Sequence, residues 1–66
     1  MALSGRALTR AKDVSQRFSE RFYNEARASN MSDKRASYIA DRAFGRSMRG
    51  AGASAADAGY SPWAKT

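Results

Sequence analysis

Between Leu8 and Ala28 the chain carries no glycine or proline, and its apolar positions recur at helical intervals. Leu8, Ala11, Val14, Phe18, Phe22 and Ala26 follow one another at spacings of 3, 3, 4, 4 and 4 residues, a single stripe along an α-helix. Ser4 stands where a helix cap is wanted, and Ala28-Ser29-Asn30 is where the pattern stops, so a first helix is expected over 5–28. Ser32 followed by Asp33 is a second start signal, a capping hydroxyl with an acid in the first turn. A second helix is expected over 33–48, with Ala36, Ala40, Ala43 and Phe44 on one face and Ile39 and Met48 on its edges. Gly45 inside it marks a bend, a close helix contact or the true helix end.

Gly50 and Gly52 break the pattern. Residues 50–66 form a tail in which 53–58 suits a short third helix stopped by Gly59, and Ser61-Pro62 is the start signal of another. The expected fold is all-α: an antiparallel helical hairpin, with the stripes around Phe18/Phe22 and Ile39/Phe44 facing each other. A short third helix or a flexible C-terminal tail follows.

Composition narrows the function more than the fold. A single unit of 66 residues buries a thin core worth a few kcal/mol, and small chains of this kind often lean on a staple, a metal or a partner. There is no cysteine and no histidine, which removes disulfides, the usual zinc sets and the commonest general base. Folding helped by an oligomer, a nucleic acid or a larger assembly is then the remaining route. No apolar run is long enough to span a membrane.

Lysine and arginine number 12 against 6 acids, for a net charge of +6. Most of the bases are arginine, whose planar fork suits phosphate and carboxylate. In the first helix Arg6, Arg10, Arg17 and Arg21 share one flank of the apolar stripe. In the second, Arg35, Arg42, Arg46 and Arg49 fall together opposite the apolar face, with Tyr38 beside them. Arginine rows of this kind can follow a phosphate backbone, releasing counterions as they dock. The plain alternative is that each row is only the solvated side of its helix. Tyr60 and Trp63 sit in a glycine-flanked tail with nothing local to pack on. They are candidates either for docking a partner or for folding back over the two-helix groove.

Nothing in the chain assembles a catalytic constellation. Asp13, Glu20, Glu25, Asp33, Asp41 and Asp57 each have a plain role as surface charge, ion-pair partner or cap, and Gly50-Ala51-Gly52 lacks the rest of a phosphate loop. No enzyme activity, metal or cofactor is expected.

The tail phrase Ala55-Ala56-Asp57-Ala58-Gly59-Tyr60-Ser61-Pro62 resembles the alanine-rich helix, turn and Ser-Pro helix start of phage terminase small subunits. In that family the phrase lies in a helix-turn-helix DNA-binding domain. The resemblance implies that Ala55, Ala58, Gly59, Tyr60 and Pro62 hold such a unit together and that residues after Ser61 approach DNA. The chain departs from that pattern at Gly50 and Gly52, where polar capping residues are usual, and at Asp57, where a neutral or basic residue is usual.

The leading expectation is a basic protein that binds nucleic acid through arginine–phosphate contacts in a phage packaging or virion setting, cytoplasmic or virion-borne. A small accessory subunit or inhibitor docked on an acidic surface of a larger protein is the alternative. In either case the chain is expected to be an oligomer or one component of an assembly. An amphipathic first helix lying on an anionic membrane is a third class, disfavoured because its apolar face is needed to pair the helices. The acid-free start of the chain also has a mitochondrial transit composition, which makes the matrix a minority location. Its periodicity runs on unbroken, however, so it reads as part of the first helix.

Overall fold

The computed structural model describes residues 3–58 and 61–63. Three helices follow in order, α1 (Gly5–Ala28), α2 (Asp33–Gly50) and α3 (Ala55–Ala58). The first two pack as a hairpin and the third docks on the second. The molecule measures 39 × 21 × 14 Å. Its length is that of α1, and its thinnest dimension is close to the roughly 10–12 Å of one helix. The hairpin is therefore a flat layer with two broad faces.

The helix ends explain why the chain turns where it does. Asn30 takes φ 68°, the left-handed conformation, just past the end of α1. With it there, the Asn30 amide bonds Arg27 O at 3.0 Å and the Met31 amide reaches back to Ala26 O at 3.1 Å. These two bonds satisfy carbonyls the helix would otherwise leave open. Gly52, at φ 92°, closes α2 in the same way, with Ala53 N–H donating to Met48 O at 3.0 Å. Ser32 caps α2 by accepting from the Arg35 amide at 3.2 Å, as its sequence signal indicates. Ser4 holds the cap position of α1, but its hydroxyl accepts no amide. The turn into that helix is taken by Gly5 at φ 58°. Ser54 caps α3, accepting from the Asp57 amide at 3.2 Å while its hydroxyl donates to Asp57 Oδ2 at 2.8 Å.

The seam between α1 and α2 differs from the expected one. On α1 the buried residues are Ala11, Ser15, Ser19 and Ala26. On α2 they are Ala36, Ser37, Ala40, Ala43, Phe44, Gly45 and Met48. Val14, Phe18 and Phe22, expected to face inward, remain 53%, 38% and 39% exposed. The cause is size. The large buried side chains, Phe44 and Met48, come from α2 alone, and the alanines and serines of α1 are small enough to let the two backbones close on them. The contact line on α1 therefore lies about one residue around from the large side chains. The serines it buries are all bonded: Ser15 Oγ to Ser47 Oγ at 2.8 Å, and Ser19 Oγ to Gln16 O at 2.8 Å. Among the described residues no buried side-chain polar atom lacks a partner.

The larger apolar residues gather at the open end of the hairpin. There Ala11, Phe44, Met48 and Ala58 form the core, with Leu3, Leu8, Ala53 and Trp63 packed against it. The tail thus supplies part of the core. α2 runs through Gly45 without ending, two residues beyond the expected limit. Of the two opposite-charge pairs spaced i,i+4 in α1 with both ends on the helix surface, Asp13–Arg17 and Arg21–Glu25, the first forms at 3.3 Å between exposed side chains. The second is not made.

Two substitutions test this account by urea unfolding followed by helical circular dichroism. Asn30→Ala should cost about 1 kcal/mol, because alanine strains in the left-handed region, while Asn30→Gly should be neutral or better. A methyl group at Gly45 meets only the flexible Arg49 guanidinium, 3.4 Å away at its nearest atom. Gly45→Ala should therefore stabilise by up to about 1 kcal/mol through helix propensity.

Candidate nucleic-acid interface

The displaced large residues define one face of the layer. Phe18 and Phe22 on α1, with Ile39 and Ala43 on α2, floor a groove of about 260 Å³ whose other walls are Arg42, Arg46 and Arg49. A second depression is lined by Leu3, Ala7, Arg10, Val14 and Ser47 among others. Val14 and Phe18, like Ala43 and Ser47, are one helical turn apart, so the two depressions lie end to end along one crease. Ile39 also lines a third depression, with Ser32, Lys34, Arg35 and Tyr38. No acidic side chain lines any of the three.

All eight arginines singled out from the sequence are exposed: Arg6, Arg10, Arg17, Arg21, Arg35, Arg42, Arg46 and Arg49. The fold gathers most of them. On α1, Arg10 lines the second depression, while Arg17 and Arg21 are exposed within one turn of Val14, Phe18 and Phe22. On α2, Arg42, Arg46 and Arg49 line the first. The row stands on the side of α2 away from its buried residues, and these three side chains reach the groove at its edge. The Arg42 guanidinium sits 5.8 Å from the centre of the exposed Tyr38 ring. Arg17 is partly engaged by Asp13, and Arg6, Arg17 and Arg21 line none of these depressions.

The opposite face is closed by the tail. The Trp63 indole stacks on the Tyr23 ring, with centroids 4.9 Å apart and an interplanar angle of 23°. Its Nε1–H donates to Ser19 Oγ at 2.6 Å. Trp63 thus takes the second of the two places its sequence context allowed, folded back on the hairpin. Tyr60 lies outside the described residues. Ser61 Oγ accepts from the Trp63 amide at 3.1 Å, the geometry of a capping serine followed by proline. Of the residues that the terminase resemblance marks, Ala58 is buried against α2, Ala55 is exposed and Pro62 lies in a turn, and Gly59 and Tyr60 lie outside the description.

The sequence reading missed Tyr23 and Ser19 as the receptor for Trp63. A visible signal existed in Ser15 and Ser19, one turn apart and in step with Ala11 and Ala26, but buried serine is indistinguishable from surface serine by periodicity alone. Tyr23 also ties the loop end of the hairpin, its hydroxyl donating to Asp33 Oδ1 at 2.5 Å. Among the described residues no cluster of acids is arranged to hold a metal, and no helix is long and apolar enough to cross a membrane.

Fold and site together define a small, basic helical hairpin with one arginine-lined face. The chain matches no known protein family, no curated protein and no solved structure.

The Trp63 contact gives a direct test. Trp63→Phe keeps a ring to stack on Tyr23 but has no N–H for Ser19. It should cost about 1 kcal/mol in urea unfolding, the usual worth of one net hydrogen bond. Ser19→Ala should shift Trp63 emission to the red as the indole turns to water for its partner.

Proposed function

We propose that this protein is a non-enzymatic binding protein that takes a nucleic acid on the arginine-lined face, through arginine–phosphate contacts. The observation that carries this reading is the sorting of charge. Arg10, Arg35, Arg42, Arg46 and Arg49 line the depressions along the crease, and no acid does. A net charge of +6 would favour any polyanion, but rows of guanidinium groups one helical turn apart suit a phosphate backbone in particular. Two copies meeting through this face would set like charges together, so any self-association would use another surface. The packaging or virion setting, and a place in cytoplasm or virion, rest on the tail's resemblance to terminase small subunits.

A second reading is favoured by the half-exposed floor of Phe18, Phe22 and Ile39. It is a subunit docked on an acidic surface of a larger protein. Apolar contacts would then dominate, and salt would matter little.

The test is the anisotropy of a labelled oligonucleotide titrated at several salt concentrations. The logarithm of affinity should fall linearly with the logarithm of salt, and the double change Arg42→Ala with Arg46→Ala should reduce that slope by about two. Affinity that ignores salt, or a slope untouched by the two substitutions, would reject arginine–phosphate binding.

A further inference from the structure

Resting on that reading, we infer that the nucleic acid held in the crease is single-stranded, with unpaired bases against Phe18 and Phe22 and its phosphates on the arginines that line it. A polyanion accounts for the arginines alone. It does not account for an apolar floor left 38% and 39% exposed at two phenylalanines in the same groove as Arg42, Arg46 and Arg49. A duplex presents phosphate and sugar to a protein face and keeps its base faces stacked inside, so the floor would meet no apolar partner. Unpaired bases offer such a partner, since every base has a π-face that stacks on an aromatic ring whatever its sequence.

The geometry suits this. The rings of Phe18 and Phe22 lie 4.9 Å apart, centre to centre, at 63°, so they meet edge to face, and both residues stay more than a third exposed. Tyr38, 60% exposed with Arg42 over its ring, continues the aromatic surface toward the loop end. The charge argument also disfavours a second copy of this chain as occupant.

Labelled twelve-nucleotide oligothymidine, oligouridine and a DNA duplex of equal length separate the cases by anisotropy, each across a salt series. Single strands should bind at least about tenfold tighter than duplex. Phe18→Leu with Phe22→Leu keeps the floor apolar and close in volume, and removes the rings. It should lower single-strand affinity at least about tenfold while duplex affinity and both salt slopes stay unchanged. Circular dichroism confirms the fold of this variant, and Phe22→Leu alone serves if the double change unfolds the chain. Equal affinity for duplex and single strand, with the leucine variants silent, overturns the single-strand inference and leaves arginine–phosphate binding standing. Loss of salt-dependent binding to every oligonucleotide overturns both. Leucine-variant-sensitive binding of an amphipathic Leu/Glu helical peptide, with oligonucleotide binding unaffected by the same variants, assigns the floor to an acidic protein helix and overturns the inference.

Discussion

Two helices approach only as closely as the side chains between them allow, and in this protein those side chains are mostly alanine and serine. Ala11, Ser15, Ser19 and Ala26 meet Ala36, Ser37, Ala40 and Ala43 across the seam. The close fit has two consequences. It places hydroxyl groups in the interior, and each must be bonded there, as the Ser15–Ser47 pair is. It also leaves no room for Val14, Phe18 and Phe22, which move to the rim and become surface. The apolar floor of the crease is therefore a direct product of how the hairpin is held together.

The tail makes the two faces unequal. By packing Ala58 and Trp63 over the open end it completes a core that α1 and α2 leave unfinished. The indole bond to Ser19 then uses one of the seam's own hydroxyls. One face is thereby occupied from within the chain. On the other, Arg10 of α1 and Arg35, Arg42, Arg46 and Arg49 of α2 line depressions that no acid lines. A small domain that spends its aromatic residues on its surface does so at a cost in core size. Such a layer is well placed to gain stability from whatever covers its floor, since anything that binds only the folded state shifts folding toward it.

Electrostatics and packing act on the same strip of surface. The guanidinium groups lie beside apolar side chains, where water is partly excluded, so their attraction for an anion is screened less than on an open helix. In the proposed reading, long-range charge would bring a polyanion to the face, and the floor would then discriminate among polyanions by what they present besides phosphate. That division of labour is the physical content of the nucleic-acid reading proposed for this protein.

Periodicity and local chemistry determined much of this from the sequence alone. The two long helices, the cap at Ser32, the break at Gly50 and Gly52, the short helix at the start of the tail and the all-α hairpin were all legible, because each follows from spacing within a few residues. The arginine rows were legible too, as angles about each helix axis. An angle about one axis does not say which of two neighbouring sectors will meet the partner helix. The heavier stripe through Phe18 and Phe22 was the natural choice, and only the packing of two whole helices, deciding by the size of the residues between them, selected the alanine–serine sector instead. The gathering of Arg10 with Arg42, Arg46 and Arg49 along one crease is likewise a property of the pair. The Trp63–Ser19 bond spans 44 residues of chain, and no local pattern in this sequence encodes a contact of that range.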